Sequence, residues 1–526
     1  MALNISLKNC LISLLYVLIF VASFLVYTHN NDFTYLYHTT EETKIAQITT
    51  HEYNLYHPLL MLDAAEVIAR VSGAETYQEK VIAGRLASAI FASVSVIILV
   101  IIAHMVSGIP GAVAAGVLLP FSPMMIRLSH YFKEDPTFVF GITLSFLAVA
   151  LYYRKSSFRN FIFMILAMVI AASGKYVGFA LLPMGIAVAI LRPYQRKLQA
   201  AASVIKRIGI FLSIYVVSYL ILNFQILLRI NYIMQKLFPK VAATAAKKQE
   251  GIVAFSGHGG AMVTHPWIEY IRYFFNQTGI IIPLLVLVYL VYFAFTFRKR
   301  TPVEKFMVAF LFFFTIILSQ GKVASGQYFL PQEMVCHLFA GIAIVLILAP
   351  VKQRFGNRIF IPSLTVCLAL TAYTLFPFAE NSLHQFHPSV DTRKALLSWM
   401  ELNLEKGPVK IASDKYVLLP DVIKWSQVLS SRKNVSVTQM EYTGDLKTLS
   451  NASSMGYTHI AVSASTYARF FSSSSSAAVA SESIYDTRKK FYGELFEKGT
   501  LLWEADSSYG GIVNTPIRFY KLPPHN

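Results

Sequence analysis

The sequence predicts a polytopic α-helical membrane protein that carries a C-terminal α/β domain outside the membrane. Its 526 residues are 55% hydrophobic and only 14% charged, whereas soluble globular domains contain about 25% charged residues. Apolar stretches recur along residues 1–379, and most approach the length of about 20 residues that a helix needs to cross a bilayer. Soluble, fibrous and intrinsically disordered proteins are therefore excluded.

Eleven membrane-spanning helices are predicted from the apolar stretches. They cover approximately residues 9–28, 86–107, 110–127, 136–153, 160–173, 175–191, 208–228, 279–297, 306–320, 332–350 and 359–378. Residues 160–191 are too long for one helix, and Gly174-Lys175 offers a turn between two short ones. The first span ends in no small-residue cleavage site, so we expect a retained anchor rather than a signal peptide.

Basic residues mark one side of the membrane. One set of alternate loops holds 16 Lys and Arg residues against a single acidic residue, Glu304. Such loops are retained in the cytoplasm. We therefore expect a cytoplasmic N-terminus and a periplasmic or extracellular C-terminal domain. The short cytoplasmic start and the lack of eukaryotic sorting signals favour a bacterial inner membrane as the setting, and the endoplasmic reticulum stays open as an alternative. The net charge of +18 then mostly reflects the orientation of the chain in the membrane. We expect membrane lipids as partners of these basic residues, and no nucleic acid.

The long polar segments fall on the opposite, outer side. They include the first outer loop, 29–85, the loop 229–278 and the tail 380–526, which follows the membrane domain 1–379. Strands alternating with helices indicate an α/β fold for the tail. The pattern predicts a helix at 391–405 and strands at 409–413, 435–440, 459–464 and 517–522. The tail shows no nucleophile motif or metal-ligand spacing, so we expect an accessory domain.

Two acidic clusters lie beside predicted spans on the outer side. Glu41 and Glu42 follow the first span, and Asp135 stands before Pro136 at the start of the fourth. Charges close to a membrane are costly unless they are paired or used, so these three carboxylates are candidate catalytic groups. Two simpler interpretations stay open: Asp135 as a plain helix cap, and the two glutamates as a solvated loop face.

Further landmarks follow in a fixed order along the chain. They are Tyr56-His57-Pro58-Leu59, Gly84-Arg85-Leu86, Ser122-Pro123, Gly174-Lys175-Tyr176 and Gln327-Tyr328-x-x-Pro331. With the acidic clusters, this order resembles the integral-membrane glycosyltransferases of the GT-C superfamily, in particular the protein O-mannosyltransferase and aminoarabinose-transferase-like group. The resemblance covers most of the chain. It implies a GT-C-like fold with about 11 transmembrane helices and an outer C-terminal domain.

The match to that group has three departures. Glu41 stands where the first-loop Asp-Glu pair has its Asp, and His57-Pro58-Leu59 lacks one Pro of a Pro-Pro-Leu element. Gln327 replaces the Arg of an Arg-Tyr-x-x-Pro element, which removes one contact to a phosphate. The resemblance implies a sugar donor on polyprenyl or dolichyl phosphate, and a glycan, lipid or protein as acceptor.

Inverting sugar transfer needs a carboxylate base for the acceptor and cations near the departing lipid phosphate. We expect Glu41 or Glu42 to be the base and Asp135 to orient the acceptor or a metal. No cofactor is certain, and a divalent cation is possible. The predicted phosphate-binding residues are Arg85, Lys133, Lys175 and Lys322, which could equally be interfacial side chains that reach lipid headgroups.

Four residues are predicted to bind substrate: Tyr56, His57, His258 and Tyr328. Tyr56 and His57 could instead anchor an interfacial helix, and His258, in a loop that could form a lid, could have no catalytic role. Two other functions stay open, a transporter or flippase for a lipid-linked sugar and an inactive binder of one. A flippase is expected to carry internal repeats and ionisable residues in mid-span, and the sequence shows no clear repeat.

Overall fold

The computed structural model describes thirteen parts of the chain: residues 7–33, 39–192, 201–228, 261–262, 265–320, 323–324, 326–387, 390–405, 407–415, 417, 435–471, 482–505 and 516–523. Two predicted site residues, His258 and Lys322, lie outside the described residues. The chain divides into two compact units. The membrane unit comprises Met1–Asn31, Thr43–Ile230 and His265–Leu383, and the sheet unit comprises Asp32–Glu42, Asn231–Thr264 and His384–Asn526.

Helices dominate the chain up to residue 384. In order they are α1 Leu7–Thr28, α2 Thr39–Thr50, α3 Leu60–Ser72, α4 Tyr77–Leu118, α5 Pro123–Ser129, α6 Asp135–Arg154, α7 Phe158–Gly174, α8 Leu181–Leu191, α9 Ala201–Leu222, α10 Gln225–Leu228, α11 Pro266–Thr278, α12 Ile281–Phe295, α13 Pro302–Ser319, α14 Leu330–Phe355 and α15 Asn357–His384. Two short strands, β1 Ala261–Met262 and β2 Val323–Ala324, also fall in this part.

Among the described residues, seven helices are long and apolar enough to cross a membrane, and three shorter helices are also apolar. Each predicted span overlaps one of these ten helices. The spans 86–107 and 110–127 both overlap α4, which is broken at Gly108, where φ is 69° and ψ is −163°. The second of these spans continues past the end of α4 into α5. The chain is thus an integral membrane protein, and the number of crossings stays a prediction.

The helix α4 begins nine residues before the predicted span because its start is capped. The Thr76 side chain accepts a hydrogen bond from the Glu79 backbone N–H, and the Glu79 carboxylate accepts one from the Thr76 N–H. This reciprocal capping box satisfies backbone donors that a helix start otherwise leaves open. The first turns of α4 thus fall within the predicted first outer loop, 29–85, whose bounds stay a prediction.

Glycines bring the helices α6 and α7 into main-chain contact. A Cβ added to Gly141 would collide with the Ala171 backbone, and one added to Gly174 would collide with the Phe138 backbone. Small residues at such an interface are the usual way for membrane helices to approach closely. As a result, the end of α7 lies beside the start of α6.

The sheet unit contains a five-stranded mixed sheet in the order β4-β3-β5-β7-β6. Its elements are α16 Thr392–Asn403, β3 Val409–Asp414, β4 Val435–Met440, α17 Leu449–Ser454, β5 His459–Ser463, α18 Ala464–Tyr467, α19 Glu482–Lys498, β6 Thr500–Ala505 and β7 Ile517–Lys521. The strand β3 pairs in parallel with β4 and β5, and β7 pairs antiparallel with β5 and β6. All four predicted strands and the predicted helix are confirmed. The edge strand β6 was not predicted, because none of its side chains is buried and its apolar run is short.

Candidate functional site

The connector between α5 and α6 is held in a fixed shape by buried hydrogen bonds. The ring nitrogens of His130 lie 2.6 Å from the carbonyl oxygen of Ile126 and 2.9 Å from that of His29. The Ser88 hydroxyl, on α4, donates to the carbonyl oxygen of Tyr131 at 2.7 Å. Since Ser88, Ile126 and His130 are buried, the residues that follow His130 project in defined directions.

The same connector is tied to the first outer loop through Lys44 of α2. The Lys44 ammonium donates to the Phe132 carbonyl oxygen at 2.8 Å and to the Glu134 carboxylate at 2.5 Å. The Phe132 ring occupies space that any side chain at Gly84 would need. The α5–α6 connector and the part of α2 that carries Lys44 are therefore linked within the membrane unit by one buried lysine.

Glu134 serves as an anchor rather than as a proton carrier. Burial opposes ionisation of this carboxyl, but the neighbouring cations, first among them Lys44, hold its pKa well below the usual value. His57 Nε2 lies 3.2 Å from Glu134 Oε1, and burial lowers the pKa of His57. The ionised Glu134 thus fixes Lys44 and His57. Neither Glu134 nor Lys44 was predicted as a site residue.

Asp135 is the first residue of α6, and its carboxylate faces two lysines. Lys175 Nζ donates to Asp135 Oδ1 at 2.7 Å, and Lys133 Nζ lies 3.7 Å from Oδ2. The N-cap position belongs to Glu134, whose side chain makes no capping bond. The interpretation of Asp135 as a plain helix cap is therefore wrong, because the carboxylate is committed to the ammonium groups.

The two lysines differ in how firmly they keep their protons. Burial would lower the pKa of Lys175, but the carboxylates of Asp135 and Glu134 outweigh it and raise this pKa. For Lys133, burial outweighs the same carboxylates and lowers the pKa. Lys133 also donates a hydrogen bond to Gln327 Oε1 at 2.8 Å. Lys175 thus keeps its proton more firmly than an ordinary lysine, whereas Lys133 gives up its proton more readily.

A cavity of about 220 Å³ opens beside this cluster. Its polar end is formed by Asp135, Lys175 and Gln327, and the Lys175 ammonium lies 5.1 Å from the centre of the Tyr328 ring. Its walls are apolar side chains of α6, α13 and the turn after Lys175, namely Phe138, Val177, Phe314 and Leu318. An apolar chain with an anionic headgroup has the matching chemistry.

The structure brings four of the predicted site residues together: Asp135, Lys133, Lys175 and Tyr328. Arg85 is fully buried, and its guanidinium donates to the Asn31 carbonyl oxygen at 3.1 Å. Its predicted phosphate-binding role stays a prediction.

The remaining predicted site residues that the structure describes lie in α2 or in the segment between α2 and α3, and they are Glu41, Glu42, Tyr56 and His57. Glu41 is buried in the first turn of α2, one turn before Lys44, and Glu42 is exposed. Tyr56 is 52% exposed beside His57. The Glu41–Lys44 spacing, which places two charges on one helix face, was the sequence signal that could have identified Lys44.

A metal centre does not fit the cluster around Asp135. Within the described part of the chain, no three His, Cys, Asp or Glu side chains are grouped so that they could hold a metal ion. The oxygens of Asp135 and Glu134 already face lysine ammonium groups, which would repel a divalent cation. We therefore derive no step through a metal.

Comparison with known proteins gives a family match and several similar solved structures. Residues 64–222 match the family model for dolichyl-phosphate-mannose-protein mannosyltransferase, while no curated protein sequence matches significantly. ArnT from Cupriavidus metallidurans, solved with undecaprenyl phosphate, is 13% identical over 96% of this chain and 98% of its own, with a TM-score of 0.51. An oligosaccharyltransferase from Archaeoglobus fulgidus, solved with Zn and sulfate, is 10% identical over 97% of this chain and 73% of its own, with a TM-score of 0.52. The chain therefore has the fold of the GT-C integral-membrane glycosyltransferases.

Proposed function

We propose that the protein is a glycosyltransferase that takes a sugar from a polyprenyl-phosphate or dolichyl-phosphate donor. It transfers the sugar, with inversion, to an acceptor on the extracytoplasmic side of the membrane. The observation that carries this proposal is the cavity beside Asp135, which joins apolar walls to the ion pair of Lys175 and Asp135. The undecaprenyl phosphate in ArnT is an amphiphile of the kind such a cavity suits.

The two lysines suit the leaving group of this reaction. When the bond between the anomeric carbon and the phosphate oxygen breaks, the departing lipid phosphate gains negative charge. Fixed cations in a site that excludes water stabilise such charge strongly. Asp135 helps to keep Lys175 protonated, so the Lys175 ammonium supplies one positive charge. Lys133 supplies a second positive charge from the other side of the Asp135 carboxylate.

The acceptor must lose a proton as its oxygen or nitrogen attacks the anomeric carbon. On the resemblance to the GT-C group, we assign the base to Glu41 or Glu42, at the start of the helix that Lys44 anchors. Asp135 Oδ2 has no hydrogen-bond donor among the described residues, so it stays available to orient the acceptor. In this scheme the proton goes to the glutamate and the lipid phosphate leaves beside Lys175.

The test uses full-length protein in lipid nanodiscs with polyprenyl-phosphate donors that carry labelled sugars. We expect release of the free lipid phosphate with transfer of the label to an acceptor. Loss of the general base lowers the rate by about 10²–10⁴, so one of Glu41→Gln and Glu42→Gln should fall in this range. Glu52→Gln, at an exposed position just after α2, is the matched control and should keep the wild-type rate.

Two outcomes would contradict the assignment. Full activity of both glutamine variants in folded protein would remove the glutamates as base. Movement of an intact labelled donor across liposomes, without release of lipid phosphate, would favour the flippase instead.

Donor affinity is expected to fall at alkaline pH because the pKa of Lys133 is lowered by burial. As pH rises, Lys133 loses its proton before an ordinary lysine would, and the donor phosphate loses one cation. The KM for the donor, measured from about pH 7 to about pH 10, should therefore rise. Lys133→Arg should remove the rise, because arginine stays charged in this range. An identical pH profile for wild type and Lys133→Arg would refute the assignment.

A further inference from the structure

A second cavity lies at the other end of the membrane unit. Its volume is about 410 Å³, and it is enclosed by α6, α8 and α13. The side chains that line it include Tyr153, Met184, Val188, Leu191, Lys305 and Phe306. Two of these helices, α6 and α13, also contribute residues to the first cavity.

The two cavities are separated by about the thickness of a membrane. Asp135 begins α6 and Tyr153 stands 18 positions later in the same helix, which corresponds to about 27 Å at 1.5 Å per residue. The hydrocarbon core of a bilayer is about 30 Å thick. The second cavity therefore lies at the membrane boundary opposite the donor cavity and faces the other leaflet.

The rim of the second cavity is positively charged. Lys305 lines it directly. The exposed Arg192 lies with its guanidinium 5.9 Å from the centre of the Tyr153 ring and donates to the Tyr153 carbonyl oxygen. The adjacent acid, Glu304, is buried and bound to Tyr289 and to the α13 capping box, so no carboxylate among the described residues lines the cavity.

We propose that this cavity binds an anionic phospholipid of the leaflet opposite the donor. The headgroup phosphate lies between Lys305 and Arg192, and one acyl chain follows Val188, Leu191 and Phe306. Charge complementarity selects this occupant. The Lys305 ammonium lies 4.7 Å from the centre of the Phe297 ring. The end of a polyprenyl chain would fill the apolar part of the cavity but bring this ammonium no anion, whereas an anionic headgroup supplies one. The proposal does not depend on the sugar-transfer reaction.

The experiment uses full-length protein in nanodiscs of phosphatidylcholine with a minority of phosphatidylglycerol. After transfer to detergent, native mass spectrometry counts the lipids that the protein retains. Wild type should retain phosphatidylglycerol in preference to phosphatidylcholine. Lys305→Glu should reduce this preference about tenfold or more, and Ala309→Trp, which fills the cavity, should remove the retained lipid. Lys299→Glu reverses an exposed lysine on the same side that does not line the cavity, and it should behave as wild type.

Two results would overturn the proposal. One is an unchanged preference in Lys305→Glu, with the variant shown to be folded by its size-exclusion profile and melting curve. The other is displacement of the retained phosphatidylglycerol by added polyprenyl phosphate in stoichiometric amounts, which would make the cavity the far end of the donor groove. Because neither measurement involves sugar transfer, a failure here is distinguishable from a failure of the proposed enzyme activity.

Discussion

Asp135→Asn is expected to lower the rate of sugar transfer by about 10²–10³. The substitution keeps the shape of the side chain but removes the charge that both Lys175 and Lys133 face. Removing one partner of a buried ion pair costs about 3–5 kcal/mol, and about 1.4 kcal/mol corresponds to a factor of ten in rate. Without the carboxylate, burial would lower the pKa of Lys175, and the donor phosphate would meet a weaker cation.

The matched control is Asp445→Asn in the sheet unit. Asp445 makes a 2.7 Å ion pair with Arg488 but is half exposed, and exposed pairs contribute only about 0.2–1 kcal/mol. This variant should keep activity within about twofold. Wild-type kcat and KM in Asp135→Asn would mean that the Asp135–Lys175 pair has no part in the reaction.

Lys175→Gln is expected to weaken binding of polyprenyl phosphate by about 10- to 100-fold. A hydrogen bond to a charged group contributes about 1.5–3 kcal/mol, and Lys175 is the cation that lines the cavity. Lys175→Arg should restore part of the affinity because it keeps the positive charge. The recovery should be partial because a planar guanidinium donates hydrogen bonds in a different geometry from an ammonium group. Affinity is measured by competition with a fluorescent polyprenyl phosphate in nanodiscs.

Substitutions of Tyr328 distinguish the effect of the Lys175 charge on binding from a general effect of packing in the cavity. The ring of Tyr328 lies 5.1 Å from the Lys175 ammonium, and such cation–π contacts contribute about 0.5–2 kcal/mol. Tyr328→Phe keeps the ring and should bind as wild type, whereas Tyr328→Leu should lose up to about tenfold. Equal affinities for wild type, Lys175→Gln and Tyr328→Leu would show that the phosphate lies elsewhere.

The membrane fold could be predicted from the sequence because hydrophobic length leaves a direct signal. Each predicted span has a helix, but the break of α4 at Gly108 is a backbone event that hydropathy does not report. In the sheet unit, β3, β4, β5 and β7 combine β-branched residues with turn signals. The exposed edge strand β6 lacks such a signal, and it was missed for that reason.

The site was only partly predictable. Asp135, Lys133 and Lys175 could be chosen individually, since each is a charge beside an apolar span. Their pairing depends on contact between the main chains of α6 and α7 at Gly141 and Gly174, and one sequence does not show which glycines pack against a neighbour. The adjacent Glu134 was passed over, because only the fold reveals that it holds Lys44. The catalytic assignment of Glu41 and Glu42 stays a prediction.

The most direct measurement is a cryo-electron-microscopy structure of the full-length protein in nanodiscs with added polyprenyl phosphate. The proposed function predicts phosphate density within about 3 Å, oxygen to nitrogen, of the ammonium groups of Lys175 and Lys133. The lipid chain should continue along Phe314 and Leu318, in the cavity that these residues line. A phosphate bound away from both lysines, or a chain that leaves this cavity empty, would contradict the account.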